Sequence, residues 1–301
     1  MPGNRACGES ARHALSIFVP FLFLPLLLSS SGYCSAQTTA GQNHIAPNEL
    51  VRRVVTNELK SEQHDHSHWS FRLNTQKPNG QTEVDEVVET KDGDLKRPLL
   101  INGRELNSEQ REKADKRIQQ LVQNPAPIRK ARQEESQDTT RSQRLLEMLP
   151  DAFNFSYGQR QGDLVELKFS PNPKFHPTTH EAEVFHAMEG SLWVNGKQER
   201  VEEISGRLMR EVKFGGGLLG HLNQGGTFDV KQAPVAPGYW ELTLLKVQMK
   251  GKAFLFKTIS VQQEYTRSEF KQVPDDLTVA KAAEMLEKQT IAARNQAKRT
   301  R

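Results

Sequence analysis

Cysteine is nearly absent from this chain of 301 residues, which contains only Cys7 and Cys34. Both lie in an N-terminal segment that we expect to be removed. The remaining chain then has no thiol, which excludes a disulfide framework, a cysteine nucleophile and a thiolate metal site. Its stability must come from a hydrophobic core, and the 265 residues after position 36 are enough to form one.

Several motifs of known enzyme classes are also missing. The chain has no HExxH spacing, no GxSxG turn and no GxxxxGK[ST] loop. It has no fixed-period repeat, and its charged central region lacks sustained apolar heptads. The formal net charge of +4 falls to about +3 without the first 36 residues, so the composition favours no nucleic-acid partner.

Residues 1–36 have the pattern of a secretory signal peptide. A basic stretch precedes an apolar run at residues 14–28, and small residues end at Ala36. The run is shorter than the roughly 20 residues of a spanning helix. We therefore expect cleavage after Ala36 and a periplasmic or secreted location. A lipoprotein acylated at Cys34 is disfavoured because a bulky residue, Tyr33, precedes that cysteine.

Helical periodicity occurs in three parts of the remaining chain. After a flexible leader at residues 37–46, an amphipathic helix is predicted from Pro47. Residues 108–149 are rich in charged residues and predict two helices, with Ser108 as the N-cap of the first, in a charged helical insertion. A closing helix is predicted near the C-terminus.

Period-two alternation predicts strands elsewhere. Trp69, Phe71 and Leu73 fall on one face of a strand, and most of the chain after position 151 alternates in the same way. The pair Asn195-Gly196 predicts a hairpin. We therefore expect an α+β fold in one domain, in which a curved antiparallel β-sheet (a half-barrel) carries helices packed on one face.

The stretch "SEQHDHSHWSFRL" brings three histidines close together, His64, His66 and His68. Imidazole pairs two apart on a strand share a face and can bind zinc. A catalytic site would need a third ligand from distant sequence, and no spacing identifies one. The favoured interpretation is a helix end followed by the solvated start of a strand, and a metal site at these histidines is the alternative.

Aromatic residues on predicted strands are the candidates for a ligand cavity. If they share one face they line an apolar pocket, and otherwise they are ordinary core. These residues are Trp69, Phe71, Trp193, Trp240, Phe254 and Phe256. The glycine-rich segment 213–226 predicts a mobile loop, whose Phe214, Leu218 and Leu219 either gate the cavity, touch a membrane or fold back into the core.

The opening helix "NELVRRVVTNEL" and the later segment "SLWVNGKQERVEEISGRL" resemble the outer-membrane lipoprotein carrier superfamily, the LolA-like and LppX-like half-barrels. Trp193, Asn195 and Ile204 occupy places comparable to that family's strand–turn–strand motif. The proline often found in the return strand is absent, and residues 108–149 are an insertion. "VFHAMEGSLWV" and "KFGGGLLGHL" are also similar to a group of secreted bacterial proteins, which implies no activity.

Family members curve their sheet around an apolar cavity, cover it with helices, and carry acyl chains or sense lipoproteins. The resemblance therefore implies a non-enzymatic periplasmic protein that binds a lipid, a lipoprotein or another apolar ligand in a half-barrel cavity, with peripheral membrane contact and no cofactor. Two alternatives stay open. One is a metal-dependent hydrolase that uses the histidine cluster, and the other is a structural or partner-binding envelope protein that uses the charged helices.

Overall fold

The structure is a computed structural model that describes residues 45–217, 219–253 and 257–299. The predicted signal peptide, most of the predicted leader, Leu218, Phe254 and Phe256 lie outside these residues. Within the described ranges, no helix combines the length and apolarity needed to span a membrane.

Five helices occur in the described part of the chain. They are α1 (Pro47–His64), α2 (Ser108–Gln123), α3 (Ala126–Ala152), α4 (His180–Phe185) and α5 (Val279–Arg299). The capping residue of α2 is Asn107 rather than the predicted Ser108, because the Asn107 side chain accepts from the Gln110 amide and the Gln110 side chain accepts from the Asn107 amide.

Thirteen strands in the same ranges form one antiparallel sheet that is not closed. They are β1 (His68–Gln76), β2 (Thr82–Thr90), β3 (Gly93–Ile101), β4 (Arg104–Glu105), β5 (Phe153–Gln161), β6 (Leu164–Pro171), β7 (Met188–Asn195), β8 (Arg200–Leu208), β9 (Val212–Phe214), β10 (Gly220–Leu222), β11 (Thr227–Ala236), β12 (Tyr239–Ala253) and β13 (Lys257–Val273). The order across the sheet is β4-β3-β2-β1-β13-β12-β11-β8-β7-β6-β5, and β10 pairs with both β12 and β9.

The two faces of the sheet are covered differently. Strand β2 shows this best, because Val87 and its neighbour Val88 are both fully buried but belong to separate hydrophobic clusters. Val87 lies in the main core, with the apolar residues of α1 and of the C-terminal part of α3. Val88 lies in a smaller core, with apolar residues of α2 and α5. We call these the main face and the back face of the sheet.

The predicted α+β class and antiparallel sheet are confirmed. The alternation in β1 is as predicted, since Trp69, Phe71 and Leu73 are buried in the main core. The prediction of a loop in the glycine-rich segment 213–226 is wrong where its residues belong to β9 and β10. Residues 212–214 and 220–222 pair as the short strands β9 and β10. The three consecutive glycines after β9 have positive φ, a conformation that residues with a Cβ rarely adopt.

Candidate functional site

A cavity of roughly 780 Å³ lies between the sheet and helices α1 and α3. Its wall comes from both helices, from strands β7, β8, β11 and β12 on the main face, and from the turn that joins β11 to β12. This volume falls within the range of about 300–1,000 Å³ that is usual for small-molecule pockets. The cavity is therefore large enough for a ligand.

Helix α1 contributes the polar side of the wall. The first turns of α1 bury Leu50, Val51, Val54 and Val55 in the core. The same helical stripe then continues into the cavity with polar residues instead of apolar ones, which are Glu58, Ser61, Glu62, His64 and, at the helix end, Asp65. One amphipathic pattern thus both anchors α1 and lines the cavity.

Helix α3 supplies a mixed wall. Leu146 and Leu149 are apolar, whereas Thr139, Ser142 and Gln143 present hydroxyl and amide groups. This helix belongs to the charged region 108–149, which therefore forms part of the cavity wall.

A bulge in β8 turns two side chains toward the cavity. Trp193 pairs with Glu203 and Val194 with Val201, so Glu202 is the extra residue. Because of this extra residue, Val201 and Ile204 share the main face although they are three apart, and both line the cavity.

A second bulge lies in β12, two strands away. Lys231 of β11 pairs with Leu244 and the next residue, Gln232, pairs with Leu242, so Thr243 is extra. Leu242 then faces the cavity and Leu245 faces the core. The sequence itself breaks its alternation at Leu244-Leu245, one residue from this bulge.

Glu58 is the centre of a buried ion-pair network. Its carboxylate accepts from both Nε and a terminal nitrogen of Arg200, each at 3.0 Å, from the Val201 amide at 2.7 Å and from Gln232 Nε2 at 2.9 Å. Glu58 is only 9% exposed. The Arg200 guanidinium also lies 5.2 Å from the centre of the Trp240 ring. This network fixes α1 to β8 and β11 at the cavity.

Glu62 lies one turn after Glu58 on the cavity side of α1. Burial raises its pKa above the usual range, and the nearby Glu58 charge also raises it, while a hydrogen bond with Gln143 of α3 opposes these effects. The side chain therefore holds its proton more tightly than an exposed glutamate does.

The histidine-rich stretch forms one end of the cavity. The Asp65 carboxylate accepts from the Ser67 amide at 2.8 Å and from the Ser67 hydroxyl at 2.6 Å. Trp69 Nε1 donates to the Ser67 hydroxyl at 2.8 Å, and the Trp69 ring packs edge-on against Tyr239, a wall residue. The stretch thus builds a rigid turn from a helix into a strand.

The structure does not bring the three histidines together. His64 is exposed on the last turn of α1, its Nδ1 2.7 Å from the Lys60 carbonyl oxygen. His66 is exposed in the connection before β1, and His68 lies on the back face, opposite Val273. In the described ranges no group of three histidine, cysteine or acidic side chains is placed to share a metal ion.

The predicted cavity aromatics have three different locations. Trp240 lines the cavity, whereas Trp69 and Phe71 are buried in the core beside it. Trp193 lies on the back face, because its neighbours Leu192 and Val194 both point into the main core.

The two described residues of the proposed gate, Phe214 and Leu219, are not part of the wall. Phe214 packs edge-on against His180, and Leu219 is exposed at the hairpin end. Among the residues that the structure describes, none of the predicted gate residues contacts the cavity.

The sequence interpretation missed Glu58, Arg200 and Gln232. One signal was available, because Glu58 continues the apolar stripe of α1 at the spacing of Val51 and Val55. A charged residue in such a stripe indicates a buried partner. The partner itself, 142 positions away, has no local signal.

Comparison of the chain with family models, curated proteins and solved structures found no match.

Proposed function

We propose that the protein is an exported, non-enzymatic binding protein that takes a lipid, the acyl part of a lipoprotein or another amphiphilic ligand into the cavity between α1, α3 and the sheet. The observation that carries this proposal is the cavity itself, a ligand-sized space whose wall is partly apolar and partly polar. Export rests on the signal-peptide pattern of residues 1–36.

The wall favours an amphiphile over a wholly apolar ligand. The sheet side offers Val201, Ile204, Val230 and Leu242, against which an acyl chain or ring gains free energy by leaving water. The helix side offers carboxylates, hydroxyls and the Gln143 amide, which lose contact with water at a cost in free energy when an apolar surface covers them. A ligand with one polar end satisfies both sides.

Filling the cavity is expected to abolish binding. Ile204→Trp places a large side chain in the space that the ligand would occupy, so the affinity for an apolar dye such as Nile red should fall at least about tenfold, as expected when a ligand-sized space is lost. The matched control is Trp193→Ala, since Trp193 lies on the adjacent strand but on the back face. Fluorescence titration measures both variants.

Native mass spectrometry of the protein purified from its own envelope tests the same proposal independently. A co-purifying mass of lipid size, present in the wild type and in Trp193→Ala but absent from Ile204→Trp, would support it. Equal dye binding by wild type and Ile204→Trp would show that the cavity is not the binding site.

A further inference from the structure

Arg267 of β13 is a buried cation without a hydrogen-bond partner among the described residues. It is 2% exposed, and none of its three guanidinium nitrogens donates to another described group. The guanidinium lies 4.9 Å from the centre of the Phe71 ring and 5.7 Å from that of Tyr265. Ring faces attract a cation but do not accept strong hydrogen bonds from its N–H groups. The guanidinium therefore still needs hydrogen-bond acceptors at this position.

A second cation lies nearby on the same face. Arg267 pairs with Leu73, and Lys96 of β3 pairs with Val87, and both of these partners point into the main core. Burial lowers the pKa of Lys96, and the positive charge of Arg267 lowers it further, while the carboxylates of Asp94, Asp85 and Glu135 oppose both effects. Arg267 and Lys96 thus lie on the same face in a poorly solvated place. The carboxylates act on Lys96, whereas the guanidinium of Arg267 has no hydrogen-bond acceptor among the described residues, so an added anion would be stabilised mainly by Arg267.

The two cations lie beyond one end of the cavity. Glu135, whose charge acts on Lys96, is one helical turn before the cavity residue Thr139 in α3. On the sheet, Arg267 lies on the strand that pairs with β12, which contributes Leu242 to the wall. The cavity and the cation pair therefore lie under the same helix and on the same sheet face.

The middle of α3 is weakly held over these cations. Its buried residues are Ile128 near one end and a group from Leu145 onward at the other, and none of residues 129–144 is buried. A helix segment with so few buried apolar contacts can open locally at low cost. Local opening of this segment would give a ligand's head group access to the cations beneath it.

We propose that Arg267, with Lys96 beside it, is the anion subsite of the cavity and binds the carboxylate or phosphate head group of an amphiphilic ligand. The guanidinium presents a planar fork of donors that matches either oxyanion. The cavity wall itself carries the carboxylates of Glu58, Glu62, Asp65 and Glu241, so an anionic head group is disfavoured within the wall and favoured beside Arg267. This proposal rests on the proposed function and specifies its ligand class.

The test compares three probes that share a dodecyl chain, each below its micellar concentration. Laurate and dodecyl phosphate are anionic and dodecyl maltoside is neutral, and calorimetric titration gives each dissociation constant. We expect the wild type to bind the anionic probes more tightly than the maltoside. In Arg267→Met the dissociation constants of the anionic probes should rise about tenfold or more, while the maltoside still binds. Lys246→Met, which removes a cation from the back face, is the matched control and should keep the preference.

The outcomes separate the two proposals. No binding of any probe by the wild type would overturn both. Binding of all three probes with the same selectivity in wild type and Arg267→Met would keep the cavity function and overturn the anion subsite. Inorganic phosphate alone, binding as tightly as dodecyl phosphate in an Arg267-dependent way, would overturn the assignment to an amphiphile head group.

The stability of the unliganded protein gives a second readout. A purely structural arginine stabilises the fold, so its replacement by methionine would lower the melting temperature. A buried arginine whose partner is a ligand's anion is desolvated and unpaired when the ligand is absent, which destabilises the fold. Arg267→Met should therefore melt at a higher temperature than the unliganded wild type. A lower melting temperature together with unchanged selectivity would contradict the proposal.

Discussion

Replacing Glu58 with alanine is expected to lower the melting temperature by about 6–20 °C. The change removes the acceptor of four hydrogen bonds and leaves the Arg200 guanidinium buried without a counter-charge. Breaking a buried ion pair in this way costs about 3–5 kcal/mol, and each kcal/mol shifts the midpoint by about 2–4 °C in a domain of this size. Thermal unfolding followed by circular dichroism measures the effect.

Two further variants show whether the loss comes from this network. Arg52 lies on α1 like Glu58, and Arg52→Ala breaks its exposed ion pair with Asp151 of α3, which should cost less than about 1 kcal/mol. The double variant Glu58→Met/Arg200→Met removes both charges and should be destabilised less than the sum of the single variants. If Glu58→Ala were as mild as Arg52→Ala, the network would contribute nothing measurable to the fold.

The fold class could be predicted because it depends on local patterns. The period-two alternation of Trp69, Phe71 and Leu73 and the helical stripe of α1 both result from burying one face of an element. The order of strands has no such signal. The pairing of β1 with β13 joins residues such as Leu73 and Arg267, far apart in sequence, and depends on which surfaces fit together in the folded chain.

The cavity residues were also harder to predict than the fold class, because lining a cavity and packing in a core favour the same residue types. Large aromatic residues are enriched both in pockets and in cores, so sequence could not separate Trp240, which lines the cavity, from Trp69 and Phe71, which do not. Charged residues at positions where the pattern predicts burial were better indicators of a site than the aromatic residues. Glu58 on the stripe of α1 and Arg267 in the alternating strand "EYTRSEF" each place a charge where the pattern demands burial.

Asp85 is another buried acidic residue, and its titration makes stability depend on pH. It lies on β2 opposite Leu73 and is 9% exposed. Burial, followed by the charge of Glu83, raises its pKa from 3.8 to about 6, although the positive charges of Lys96 and Arg117 oppose the rise. Because the folded protein binds this proton more tightly than the unfolded chain, the contribution of Asp85 to stability falls as the pH rises from about 4 to about 6.

Asp85→Asn is therefore expected to stabilise the protein at pH 8 and to have little effect at pH 4. The pKa difference of about 2 corresponds to about 3 kcal/mol at pH 8, and asparagine, which stays neutral, avoids this cost. At pH 4 the folded carboxyl is already protonated, so the difference should shrink to under about 1 kcal/mol. Thermal unfolding of both proteins at the two pH values gives the comparison.

Asp163→Asn, at an exposed turn, is the control and should show no such pH dependence. A gain that is the same at both pH values would mean that the side-chain exchange, and not the proton, is responsible.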